Sequence, residues 1–273
     1  MFAWGASRGG CAVEQPIKRT TGPTRSRNTS MCPVVSSTID IQPQTREPMK
    51  STFAEVSERT LRPLPLHFYQ RDPHELAHDL LGRDIVRVLP GGQRLTGRIL
   101  EVEVYGYAED PASHANTGVP TERTAPMFGE PGSAYVYKIY GMYHCLNVVA
   151  PADQRPSALL IRALQPLEGL DQMAKDRGLF DRYDDSMPLT VQKNLLSGPG
   201  KICQAMGIDC SFNESLLDGG ELMLTHGVPV RGLDALEIGR GSRIGLNPKT
   251  VGESAEWPWR YAVRGSKFLS RPL

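Results

Sequence analysis

Two glutamates stand two residues apart in GRILEVEVY, residues 97–105. Read as a strand, this run puts Ile99, Glu101, Glu103 and Tyr105 on one face and Leu100, Val102 and Val104 on the other. The two carboxylates are then about 7 Å apart by strand rise. A sheltered pair at that spacing resists simultaneous ionisation, a starting point for general acid–base work, whereas on a solvated face the same pair does nothing. The neighbours favour the first reading. Asp110-Pro111 reads as a helix start whose turn delivers His114 a few residues past the strand's end, within reach of Glu103 and Tyr105. A carboxylate, an imidazole and a flat ring brought together suit proton transfer beside a stacked planar ligand. Arg162 interrupts the apolar run ALLIRAL, residues 158–164. Buried there it needs an anion, and Glu101, Glu103 or a phosphate from outside would each serve.

The stretch that organises the rest is SAYVYKIYGMYHCLNVV, residues 133–149. It reads as a hairpin in which Val136, Lys138 and Tyr140 face one way and Tyr135, Tyr137 and Ile139 the other. Gly141 suits a tight connection that needs positive φ, which carries Tyr140 to the tip. Water-facing tips normally carry small polar residues, so a large ring there points to something being stacked upon or wedged apart.

The remaining elements must hold these groups in place. Asp72-Pro73-His74-Glu75 is a helix start, the helix burying Leu76 and Leu80 and stopping at Gly82. Asp84 to Leu89 and Gln93 to Tyr105 read as strands around a Pro90-Gly91-Gly92 turn, and Ser157 to Gln165 as another strand. Leu167 to Arg177 is expected as an amphipathic helix, Leu179 to Thr190 as a polar loop, and Ser197-Gly198-Pro199-Gly200-Lys201 as the opening of a helix through about Gly207. That opening lacks the first Gly and the Ser or Thr of a triphosphate-binding loop, Leu195 and Ile202 standing instead, yet its amides and Lys201 suit a single phosphate of a polymer. Leu222 to Thr225, Val228 to Val230, Gly241 to Gly245 and Trp257 to Val263 supply short strands and turns. The expected fold is a single α+β domain over residues 63–273, with a curved, mainly antiparallel sheet, peripheral helices and a protruding hairpin.

Composition bounds the partners. The 273 residues carry a net charge of +1, and residues 1–60 hold eight Lys or Arg against five acids, leaving the rest of the chain at −2. A polyanion must therefore be met by a local basic patch. Five cysteines with no C-x-x-C pair fit free thiols in a reducing compartment better than a zinc site. No apolar run is long enough to span a bilayer, so a soluble, intracellular protein is expected. Residues 1–62 are rich in Ser, Thr, Pro and Arg without periodicity and read as a disordered arm, as a transit peptide, or as translation from a start upstream of Met31 or Met49.

Six blocks taken together resemble the alkyladenine (3-methyladenine) DNA glycosylase family: GRILEVEVY, EDPASH (109–114), MFGEPGSAYVYKIYGMYHCLNVV (127–149), LLIRALQPLEG (159–169), SGPGKICQA (197–205) and WPWRYAVRGS (257–266). The resemblance implies a monofunctional enzyme of base-excision repair whose partner is double-stranded DNA containing alkylated or deaminated purines. Such an enzyme flips the base out, hydrolyses the N-glycosidic bond and leaves an abasic site, with no metal, organic cofactor or lysine Schiff base. By the same resemblance Glu103 activates water beside Arg162; Tyr105, His114 and Tyr137 wall the base; Asn147 crowds normal guanine; and Ile244 lines the pocket through its main chain. Tyr140 would enter the vacated stack, and Arg123 and Lys201 would meet the DNA backbone. A DNA-associated monomer is expected. Gln165 stands where the family often has Glu, and Glu122 lies among residues expected near DNA, departures that bear on base preference. Two other readings compete on the residues alone. One is a glycoside hydrolase using Glu101 and Glu103, disfavoured because such pairs flank a sugar from opposite sides; the other is a nucleic-acid platform without catalysis.

Overall fold

The computed structural model describes residues 62–106, 109–150, 155–184, 186–227 and 237–273. The arm expected over residues 1–62 lies outside the described residues apart from Arg62, and so does the strand expected at Val228 to Val230. Among the described residues nine strands form one antiparallel sheet: β1 (Asp84–Val88), β2 (Arg94–Gly106), β3 (Ala134–Ile139), β4 (Tyr143–Val149), β5 (Ser157–Glu168), β6 (Asp218–Gly219), β7 (Leu222–Thr225), β8 (Ile238–Gly241) and β9 (Arg260–Val263). The main path runs β3-β4-β5-β2-β1-β7-β6. The central β2 pairs with β5 along one edge; on the other, Asp84 to Val88 of β1 take its first half and β9 takes Glu101 to Glu103. The two glutamates are thus enclosed by strands on both sides, which accounts for their complete burial.

Among the described residues five α-helices accompany the sheet: α1 (Pro73–Leu80), α2 (Leu170–Asp176), α3 (Leu189–Leu196), α4 (Pro199–Met206) and the short α5 (Pro248–Val251). At the start of α1 the Asp72 carboxylate accepts from the His74 and Glu75 amides at 2.8 and 3.4 Å, the expected cap. Leu76 and Leu80 of α1, Met173 of α2, Leu195 of α3 and Ile202 of α4 join one core with Val102, Val104, Val136, Val148, Leu159 and Ile161 of the sheet. One sheet face is therefore sealed by helices, which leaves the alternate residues of the same strands to form something else. Among the described residues no helix is long and apolar enough to cross a membrane.

Several expectations change. Asp110-Pro111 opens a series of turns, not a helix. Its carboxylate does accept the Ala112 amide, at 3.1 Å, but it is chiefly engaged by Arg243, a partner that sequence spacing does not show. Ile99 joins the core with Leu100 because the pairing of β2 with β5 slips between Ile99 and Glu101, which breaks the strict alternation. β5 continues to Glu168, so α2 begins at Leu170, later than the expected Leu167. Part of the expected polar loop is α3, which Pro188 opens. The last two expected strands are Ile238–Gly241 and Arg260–Val263, displaced and shortened relative to the sequence reading.

Candidate active site

One row of paired residues crosses the sheet on the face away from the helices: Tyr135 opposite Asn147, Asn147 opposite Leu160, Leu160 opposite Glu103 and Glu103 opposite Arg260. Directly paired residues of antiparallel strands point to the same side, so register alone gathers this set. A neighbouring row places Tyr105 opposite Ala158. Above them opens a cavity of about 330 Å³, lined by Tyr105, His114, Tyr135, Tyr137, Tyr140, Asn147, Arg162 and Ile244 among others. Glu103 is fully buried, one layer beneath this wall.

The Glu103 carboxylate is held by three donors, each from a residue of the cavity wall. The Ile244 amide donates to Oε1 at 2.6 Å; the Tyr105 hydroxyl and the Arg162 Nη1 donate to Oε2 at 2.9 and 3.1 Å. A carboxylate offers about four acceptor positions, and these bonds use three of them. Burial pushes the Glu103 carboxyl above its ordinary value, against the opposing pull of Arg162, the Ile244 amide and the Tyr105 hydroxyl. Tyr105 is driven well above the ordinary tyrosine range, by burial first and by the Glu103 charge second, so it stays protonated and donates.

Arg162 reaches this position through a local irregularity. Glu101 pairs with Ala163 and Val102 with Ile161, which leaves Arg162 bulged between them. Such bulges re-aim a side chain. Its guanidinium lies between the two acids, with Nε 3.7 Å from Glu101 Oε1. Of the partners left open by the sequence, both glutamates are therefore used. Glu101 has a different environment. It accepts from Arg260 Nη1 at 3.0 Å and from the Ser270 amide and hydroxyl at 2.7 and 2.9 Å. Two acids and two guanidinium groups offset one another; Arg162 is shared between the acids, whereas the Ile244 amide and the Tyr105 hydroxyl of the cavity wall bond Glu103. The glycoside-hydrolase reading loses its second acid accordingly.

The ring walls come from the hairpin and the 110–114 turn. His114 meets Tyr137 edge to face, with centroids 4.7 Å apart, and its Nδ1 is 3.0 Å from the Tyr135 hydroxyl. Arg123 Nη2 lies 3.4 Å from Nε2. Because an arginine can only donate, Nε2 is the acceptor and Nδ1–H bonds the tyrosine. Burial, with Arg123 adding to it, lowers the His114 pKa to about 4, so the ring is neutral near pH 7. Asn147 is buried, and its amide donates to the Tyr135 carbonyl at 2.9 Å, which fixes its orientation. Cys145, two residues away on the same face, also lines the cavity, and burial pushes its thiol up to about 11. Alternation in YHCLNVV gave a signal for Cys145, whereas Leu160 and Leu246 had none.

At the hairpin tip Tyr140 is 87 % exposed with φ 51°, followed by Gly141 with φ 70°. A non-glycine residue in this region is strained, and the ring gains no burial in exchange. The hairpin is braced by α4 just behind its tip, where a Cβ added to Gly200 would come within 3.3 Å of Tyr143, the first residue of β4. Lys201 is set apart from the cavity. Its Nζ donates to Asn194 Oδ1 at 2.6 Å, and burial together with Arg177 and Lys193 lowers its pKa. Arg123 sits at the cavity rim, its guanidinium 5.3 Å from the Tyr137 ring centroid.

Residues 67–267 match the family model of methylpurine-DNA glycosylase (MPG). Similar proteins include one from Clostridium novyi, 38% identical over 211 residues that cover 77% of this chain and 100% of the relative. One from Rhizobium etli is 43% identical over 206 residues, 76% of this chain and 88% of the relative. One from Rhodopseudomonas palustris is also 43% identical over 206 residues, 76% of this chain and 90% of the relative. All three are named as inferred 3-methyladenine DNA glycosylases. The chain belongs to the methylpurine-DNA glycosylase family and is a base-excision-repair DNA glycosylase, a hydrolase of N-glycosyl bonds.

Proposed function

We propose that this enzyme acts as a monomer on duplex DNA, rotates an alkylated or deaminated purine into the cavity and hydrolyses its glycosidic bond with a water activated by Glu103. The observation that carries this reading is the Glu103 carboxylate, bonded by three cavity-wall donors. The attacked atom is inaccessible in a stacked duplex, so the nucleotide must leave the stack at a cost of a few kcal/mol (about 2–4). Tyr140 fills the gap. The purine lies between Tyr105 on one side and the touching rings of His114 and Tyr137 on the other, where electron-rich rings favour a cationic alkylated base. Asn147, held rigid by its backbone bond, crowds the exocyclic amine of guanine. Arg123 and Lys201 meet phosphates.

In the reaction the water oxygen bonds to C1′ while the bond from C1′ to the purine nitrogen breaks, and its electron pair leaves with the base. A cationic alkylpurine departs neutral; a deaminated purine departs as an anion and takes up a proton. Positive charge grows on the sugar, an ionised Glu103 offsets it, and the carboxylate receives the water proton. Arg162 holds the carboxylate oriented, and the neutral His114 adds no repulsive charge.

Release of free purine and formation of abasic sites from alkylated duplex, in buffer with a metal chelator, tests the reading. A platform without catalysis binds the duplex and releases nothing. The pH profile adds a second check. Since Glu103 must be ionised and its pKa is raised, the acid limb of single-turnover excision is expected above the ordinary glutamate value of about 4.3. Tyr105→Phe removes one donor that favours the charged form, so the limb should move to still higher pH. An unmoved limb contradicts the assignment.

A further inference from the structure

Asp110 and Arg243 form an ion pair with no side-chain exposure on either partner. The contact is bidentate, Nη1 to Oδ2 at 2.6 Å and Nη2 to Oδ1 at 2.8 Å. Arg243 Nη1 also donates to the Val104 carbonyl at 3.0 Å and Nη2 to the Ser254 carbonyl at 3.2 Å. The guanidinium lies 4.7 Å from the Tyr105 ring centroid and 5.1 Å from that of Trp259. Asp110 in turn accepts the Gly106 amide at 3.3 Å and the Ala112 amide at 3.1 Å.

These bonds converge on three segments that each contribute to the site. One is the end of β2, which carries Glu103 and Tyr105. The second is the turn from Asp110 to His114. The third is the chain at Ile244, the residue after Arg243, whose amide reaches Glu103 Oε1 at 2.6 Å. A buried ion pair with hydrophobic stability as its sole end would be replaceable by apolar side chains. This one is joined to backbone at Val104, Gly106, Ala112 and Ser254, and all but the last belong to segments that bear a group touching Glu103 or the cavity.

We propose that Asp110 and Arg243 are positioning residues for excision: the pair holds the Ile244 amide on Glu103 and the Tyr105 ring against its wall, so that the carboxylate is oriented and kept ionised. The inference rests on the reading of Glu103 as the base. Arg243→Lys tests it with the charge retained, because an ammonium group cannot hold a carboxylate by two parallel bonds and two carbonyls as well. Displacement of a reacting group by about 1 Å can cost about 100-fold, so a 10- to 100-fold slower single-turnover rate is expected, roughly the range of such misplacements. Affinity for damaged duplex should stay within about threefold, and the acid limb of the pH profile should move upward as the Ile244 bond to the charged form weakens. A second variant, Asp110→Leu with Arg243→Met, removes both charges at once and is expected to keep the fold while showing the same slow rate and raised limb.

A wild-type rate and limb in either folded variant overturns the proposal. So does a loss that follows thermal stability or DNA affinity with the limb unmoved, the signature of a merely structural pair. Glu103→Gln run in parallel separates the two claims: if it excises normally, the base assignment fails; if it is inactive while the pair variants behave as wild type, only the positioning role fails.

Discussion

Glu103→Gln is expected to lower single-turnover base release by roughly 10³- to 10⁴-fold, the upper range for loss of a positioned proton acceptor that also opposes developing charge. Binding of a damaged duplex changes by no more than about threefold, because the lost interaction belongs to the transition state and not to the ground state. The amide is not a silent replacement. Ile244 donates to one oxygen and Arg162 to the other, and neither group can accept. With its NH2 toward Ile244 the glutamine amide faces a donor; with its NH2 toward Arg162 only the Tyr105 hydroxyl can accept, and the arginine loses its acceptor, so a buried group is left unsatisfied at a cost of about 1–3 kcal/mol. Removal of a buried carboxyl whose ionisation burial disfavours works in the opposite sense, so the net change in stability should be modest. A competition binding assay run beside the excision assay checks both parts; a variant that excises at even a tenth of the wild-type rate removes Glu103 from the chemistry.

Tyr140→Ala slows excision of a stably paired lesion by about 10- to 100-fold, since a base–aromatic stack is worth about 1–3 kcal/mol. The same substitution has less effect on a lesion placed opposite a gap, where no base pair must be broken. Alanine retains the cost of positive φ at this tip, so the turn itself is not relieved and the change reads the ring alone. Excision from paired and unpaired lesions, measured on the same two proteins, gives the comparison. Equal losses on both would place Tyr140 in base binding or chemistry and not in flipping.

The architecture was legible in sequence wherever a local rule had no competitor. Asp72 caps α1 because Pro73 and Glu75 follow it, and the tyrosine hairpin follows from alternation and Gly141. The inward set of Tyr135, Tyr137 and Ile139 is also read directly, since period two has no freedom once the turn is placed. Where two long-range partners decide, the sequence is silent. Asp-Pro opens helices and turns alike, and Asp110 is drawn away by an arginine 133 residues later. Glu101 and Glu103 look equivalent on a strand, yet Arg260 and Ser270 enclose one while Ile244 and Tyr105 engage the other. Strict alternation failed at Leu100 and at Arg162, both at register slips, and the second slip aims the arginine that the site employs.

The distinct surroundings of the two glutamates also explain why neighbouring acids on one strand need not act as a pair. Glu101 is tied by β9 and by Ser270, while Glu103 faces the cavity wall, and Arg162 is shared between them. On the proposed reading the fold thus supplies one working carboxylate within a cluster that is close to neutral.

The central claim is that an ionised Glu103 opposes positive charge on the sugar. Its most direct test is affinity for duplexes carrying either a cationic nitrogen analogue of the sugar or a neutral abasic analogue at the lesion site. Wild-type protein is expected to prefer the cationic duplex by at least about tenfold, in the sense that transition-state mimics bind more tightly, and Glu103→Gln to lose that preference. Equal preference in the two proteins would contradict the account.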